Sequence, residues 1–170
     1  GGSWRFGNIG RPYRGGDVDD GWGWMPEILQ GAEYYARDGS YGRNHVGFVW
    51  LDTFEAQEYL QGKEILDVRI RFQRMNEFGQ NKPHEIFVYE HDYSRVLGEP
   101  ETFDPTLSII KNGVSVGAHG WGDDLMATLP VSIGENIRDG KTSGLAFFNP
   151  DFTQSAQIAL NSILLEITYR

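Results

Sequence analysis

Cysteine is absent from the 170 residues, which removes disulfide staples, thiolate zinc sites and thiol nucleophiles together. Basic residues are few. The 15 Lys and Arg stand against 24 Asp and Glu, a formal charge of −9. Nucleic-acid binding by phosphate neutralisation needs clustered Lys and Arg, and so does docking on an anionic membrane surface; neither partner is expected. No apolar run approaches the roughly 18 residues that a transmembrane helix requires. The N-terminus shows no secretory signal pattern, and Gly1-Gly2-Ser3 reads as an expression scar or a linker cut from a larger chain. Repeats, low-complexity tracts and blocks of like charge are also lacking, so nothing marks an internal domain boundary. A chain of this length can bury a core without covalent staples.

Glycine and aromatic residues are plentiful instead: 22 glycines, with aromatics making up 14% of the chain. That pairing favours a turn-rich β protein with aromatic anchors. Residues 1–24 are expected to be irregular, because six glycines, three arginines and three aspartates crowd between Trp4 and Trp24. Trp4, Phe6, Tyr13, Trp22 and Trp24 lie among them, so this segment should pack onto the domain rather than trail in solvent. Residues 25–170 then form a single domain. The clearest strand is 64–74, with Leu66, Val68, Ile70 and Phe72 on one parity and Asp67, Arg69, Arg71 and Gln73 on the other. Further strands are predicted at 46–51 (buried on both faces), 85–91, 107–110, 125–129, 144–148, 156–160 and 162–169. In the last, Ile163, Leu165 and Ile167 share a core-facing parity. Two short helices interrupt the pattern. One covers 54–60, with Phe54 and Tyr59 or Leu60 sharing a face and Gly62 as its stop; the other covers 132–138, with Ile133 and Ile137 as an i,i+4 pair. Short strands between turns with two small helices predict an all-β fold, a β-sandwich of jelly-roll type with two packed antiparallel sheets.

The order of these segments resembles a known module. LQGAEYYARDGSYGRNHVGFVWL (29–51), LQGKEILDVRIRFQR (60–74), HEIFVYEHDYSRV (84–96) and TLPVSIGENIRDGKTSGLAFF (128–148) are similar to the jelly-roll modules named after disaggregatase-related repeats. Those modules occur in bacterial surface proteins and in phage tail and baseplate proteins. The resemblance covers 28–170 and leaves out the Trp-rich start. It implies a carbohydrate-adhesive or scaffold role without catalysis, a location on a virion tail or cell surface, and a parent tail or surface protein as the covalent partner.

Read as chemistry, the residues support enzymes weakly. A glycosidase needs two carboxylates about 5–5.5 Å or 6.5–9.5 Å apart, and Glu33, Glu90, Asp92, Asp123 and Asp124 offer no spacing that selects a pair. A GxSxG elbow, a GxGxxG turn and a Walker lysine are all missing. The one cofactor with ligands in the sequence is calcium, at Asp17, Asp19 and Asp20 of DVDDG; these are hard oxygen donors, though without EF-hand spacing. A solvated acidic turn explains the same residues. The four histidines show no zinc-ligand spacing.

Sugar binding asks for a different set: aromatic rings to stack on C–H faces, and short polar side chains to fork hydroxyls. Trp121 carries glycines on both sides and has His119, Asp123 and Asp124 close by. Trp22 and Trp24 lie beside Asp19 and Asp20, and Tyr34, Tyr35 and Tyr41 form a third polar-aromatic loop. Each indole has a plainer role open to it, capping an end of the sandwich. His91-Asp92-Tyr93 ends a strand and could line the same end of the sandwich, although such a histidine more often satisfies loop carbonyls. The expectation is a non-catalytic module that binds cell-surface polysaccharide, with a structural spacer and a glycoside-active domain as the rival readings.

Overall fold

The computed structural model describes residues 2–7, 13–15, 22–24, 27–51, 53–75, 82–92, 110–159 and 162–170. In chain order its elements are β1 (Gly2–Gly7), β2 (Tyr13–Gly15), β3 (Trp22–Trp24), β4 (Glu27–Tyr35), β5 (Ser40–Trp50), α1 (Thr53–Leu60) and β6 (Ile65–Met75). They continue with β7 (His84–His91), β8 (Ile110–His119), β9 (Asp124–Leu129), α2 (Val131–Arg138), β10 (Gly144–Phe147), β11 (Ala156–Ala159) and β12 (Leu164–Tyr169). Each helix has eight residues, and no helix among the described residues is long and apolar enough to cross a membrane.

Among the described residues every strand pair is antiparallel, and the strands fall into two layers. One layer runs β1-β12-β6-β9 and the other β5-β10-β7-β8. Among the described strands from β5 to β10, successive strands lie in opposite layers, except β7 and β8. That is the jelly-roll arrangement expected from the sequence. The layers join along one side, where β11 pairs with both β6 and the first half of β4, and the second half of β4 pairs with β5. Gly47 permits this crossing: a Cβ there would stand 2.5 Å from Ile28 Cγ2 and 2.9 Å from the Leu29 carbonyl oxygen.

Val68, Ile70 and Phe72 of β6, Leu165 and Ile167 of β12 and the preceding Ile163 fill the space between the layers, facing Ile86, Val88, Leu145 and Phe147. Phe72 and Phe147 meet edge-on at 5.5 Å between centroids. Leu66 departs from the expected inward parity and is 42% exposed. A register shift between Thr168 and Tyr169 pairs Tyr169 with Ile65 rather than with Leu66. The bulge hands the core position to Ile65 and turns Leu66 outward.

The helices close one end of the sandwich. Ile133 and Ile137 of α2 are buried as predicted. Gly134 lies against Ile65 and Val68 so closely that a Cβ would come within 2.8 Å of either. Gly62 and Gly140 follow α1 and α2 with φ of +72° and +73°, in keeping with glycine stops. α1 buries only part of its expected face. Ala56 and Leu60 are buried, while Phe54 is 82% exposed and Tyr59 54%.

Three stretches expected as loop are strand. Trp22 and Trp24 stand on β3, paired with β2, and Gly2–Gly7 pairs along the whole of β12, so residues 1–24 are not simply irregular. Tyr34, Tyr35 and Tyr41 belong to the β4–β5 hairpin rather than to a loop. β8 continues to His119 where a strand ending at 110 was expected.

Candidate functional site

At the end of the sandwich opposite the helices, β6 finishes at Arg74 and Met75, β8 at His119, and β9 begins at Asp124. Residues 120–123 make the tight link between the layers. The Asp123 amide donates to the Gly120 carbonyl (3.2 Å), and the Asp123 carboxylate accepts from the Gly120 amide (2.9 Å). Gly122 has a φ of +84°, at the third position of the turn, where a type II turn favours glycine. The turn is also bolted to β6: the Gly122 amide donates to the Arg74 carbonyl, and the Arg74 amide donates to the Asp123 carbonyl, both at 2.9 Å. Trp121 projects from this fixed backbone and is 58% exposed.

Its polar neighbours are committed to different degrees. Arg71 grips Asp124 with two of its three guanidinium nitrogens, Nη2 at 2.6 Å and Nε at 3.2 Å. That pairing holds the Asp124 carboxyl below its ordinary range and raises the Arg71 guanidinium. His119 folds back on its own strand, with Nε2 2.8 Å from the Val116 carbonyl oxygen, and Gly117 leaves room for the ring. Asp123 presents the remaining carboxylate, with Nδ1 of His119 4.0 Å away. Trp121, His119, Asp123 and Asp124 are therefore brought together by the turn itself.

The residue that organises this end is Arg74, which the sequence reading passed over. It occupies the inward parity of β6, wholly buried. Its guanidinium donates to the carbonyls of His119 (3.1 Å), Lys82 (3.3 Å) and Ser155 (3.3 Å), three segments far apart in the chain. Burial lowers its pKa, with Asp123 opposing, yet a guanidinium stays charged in a protein. His84 adds a 2.6 Å hydrogen bond to the same Ser155 carbonyl, and burial lowers its pKa as well. Gln30 laces the next layer, donating to the carbonyls of Glu85 and Gln154 and accepting from the Phe87 amide. Alternation on β6 was the available signal for Arg74, since the apolar parity of 68, 70 and 72 continues to 74.

The tyrosines form a separate group. Tyr34 and Tyr41 face each other across the hairpin with centroids 5.3 Å apart. Tyr41 meets Phe152 edge-on at 5.5 Å. Phe152, half exposed, was not among the expected site residues because its place beside Tyr41 comes from a contact more than a hundred positions away in the chain. Tyr35 points to the other face, where its hydroxyl donates to Glu33 (2.6 Å).

The remaining candidates lie elsewhere. His91 is at the helix-capped end, buried, with Nε2 2.9 Å from the Val49 carbonyl oxygen. Beside it Glu90 is fully buried and accepts from Asn112, Asn136 and Thr142. Glu90 and Asp92 thus stand at the opposite end from Asp123 and Asp124. The side chains of Trp22 and Trp24 and the whole of Asp17, Asp19 and Asp20 lie outside the described residues. Among the described residues no group of three or more His, Asp or Glu is placed to hold a metal ion.

No protein-family model matches the chain, and comparison with curated proteins finds no match.

Proposed function

We propose that this chain is a non-catalytic saccharide-binding module, carried by a larger tail or cell-surface protein and engaging cell-envelope polysaccharide through the Trp121 turn. The observation that carries this reading is the presentation of Trp121: a large exposed ring on a backbone fixed by hydrogen bonds to Arg74 and Asp123. A backbone fixed before binding loses little further conformational freedom when a sugar stacks on the ring it carries. A pure spacer has no use for an indole displayed in this way. Asp123 beside it accepts hydrogen bonds from hydroxyls, and the Arg71–Asp124 pair supplies both donors and acceptors at the rim. The carriage on a tail or surface protein rests on the resemblance of residues 28–170 to adhesive jelly-roll modules.

A glycan array and host-cell binding with the isolated chain test the reading. Aromatic stacking contributes on the order of 1 kcal/mol, and each 1.4 kcal/mol is tenfold in affinity. Trp121→Ala should therefore weaken binding about fivefold while its circular dichroism and melting temperature stay near those of the parent. Unchanged binding would move the site away from this turn, with Tyr34, Tyr41 and Phe152 next. Unfolding of the variant would make Trp121 a structural cap.

A further inference from the structure

We infer that the groove between α1 and α2 is a second binding site, for a neutral sugar, at the end of the molecule opposite Trp121. The groove encloses about 470 Å³ and is lined by Phe54, Gln57, Glu58, Gln61, Arg138 and Asp139. That volume is in the range of small-ligand clefts. Four of the six residues recur at i, i+3, i+4 and i+7 along α1 and its C-terminal turn, so they share one face. The spacing usually marks a buried apolar stripe. Here it carries one aromatic ring, 82% exposed, two amides and a carboxylate. The Gln57 amide lies against Gly140, where an added Cβ would stand 3.0 Å from its Nε2.

The commitments of the charged groups select the ligand class. Arg138 gives Nε and Nη2 to the Asp139 carboxylate (2.8 and 3.1 Å) and Nη1 to the Lys63 carbonyl (2.9 Å). It is the one cation among the lining residues, so a phosphate, sulfate or uronate would find its guanidinium already occupied and two carboxylates nearby. Asp139 is held by Arg138, its carboxyl kept below the ordinary range by that contact, which leaves Glu58 as a single carboxylate. One carboxylate falls well short of the oxygen shell of a divalent cation. A single apolar ring cannot anchor an amphipathic peptide, which needs several. What fits is a molecule with a C–H face to lie on Phe54 and uncharged hydroxyls, which Gln57 and Gln61 serve as both donors and acceptors.

This site does not depend on the Trp121 turn. The eleven residues of β6 run between the two ends, about 33 Å at the rise of an extended strand, so either site can fail alone. Two sites on one rigid module would engage a long polysaccharide with an avidity above that of each.

The test is amide chemical-shift mapping on the isotope-labelled full chain, titrated with cello-, malto-, manno- and chito-oligosaccharides and with oligogalacturonate as the anionic comparison. At least one neutral probe should shift the amides of residues 54–61 and 138–140. Phe54→Ala, at a position too exposed to support the core, should weaken that binding about tenfold, and Trp121→Ala should leave it unchanged. Shifts confined to residues 119–124 would overturn the second site and spare the first. No shift at α1 and α2 with any neutral probe, a preference for oligogalacturonate there, or indifference to Phe54→Ala would each overturn it.

Discussion

His91 shows how much a buried side chain can be constrained by what surrounds it. Its ring is enclosed by Phe48 and Trp50, edge-on at 5.2 and 5.0 Å between centroids. Nε2 lies 2.9 Å from the Val49 carbonyl oxygen, so it carries the proton and donates it. Burial, only partly offset by that hydrogen bond, drives its pKa down from 6.5 to about 4. The folded protein therefore holds the ring neutral, whereas the unfolded chain protonates it near pH 6.5. The stability linked to this site is fully present above about pH 6.5 and is lost as the pH falls toward 4, because the unfolded state takes up the proton first. At 1.36 kcal/mol per pKa unit the loss is on the order of 3 kcal/mol. His84 is shifted in the same direction by burial, so the contribution of His91 is isolated by comparison with His91→Gln. Urea unfolding at pH 7 and pH 4.5 should show a clearly smaller acid loss in the variant. Equal losses in the two proteins would show that His91 does not titrate as described.

β6 gives a sharper test of how sequence pattern becomes packing. Leu66 and Val68 have the same parity and comparable hydrophobicity, yet the register shift at the β12 end places Leu66 outside and leaves Val68 wholly buried. Val68→Asp should unfold the domain, since an unpaired buried carboxylate costs several kcal/mol against a total of roughly 5–15. Leu66→Asp should melt within a few degrees of the parent. A Leu66→Asp variant that unfolds like Val68→Asp would mean that the strand follows its alternation after all. The contrast also explains what was legible. β6, β7, β9, β10 and β12 carry apolar residues toward a shared interior, and their positions could be read to within about two residues. β8 could not: from Lys111 to Ala118 it has no buried residue, and Gly113, Ser115 and Gly117 make it an edge strand with little pattern. α1 misled for a related reason, because its small Ala56 takes the inward place that the large Phe54 seemed to claim. Trp121 could be singled out from its glycine flanks alone. Arg74 acquires its role only from carbonyls 8, 45 and 81 positions away in the chain, a relation that no local pattern reports.

Across the whole molecule, β1 and β12 join the first described residues to the last: Gly2 pairs with Tyr169 and Gly7 with Leu164. Pairing at such sequence separation makes folding slow for a chain of this size, because loop closure precedes the contacts that reward it. It also sets both termini side by side at the helix-capped end, where Glu64 and Arg170 exchange backbone hydrogen bonds, while the Trp121 turn stands at the far end. The consequence is mechanical. Pulling the two termini apart opens the β1–β12 ladder like a zip, loading its hydrogen bonds one after another. Pulling between the C-terminus and residue 121 acts along β12 and β6 and loads their cross-strand bonds all at once, since those bonds lie perpendicular to the strands. Optical-trap measurements with handles at the two positions should find the second direction several-fold stronger than the first, and equal rupture forces would refute it. A module tethered at its termini and gripping a surface through Trp121 would meet its load along the resistant axis.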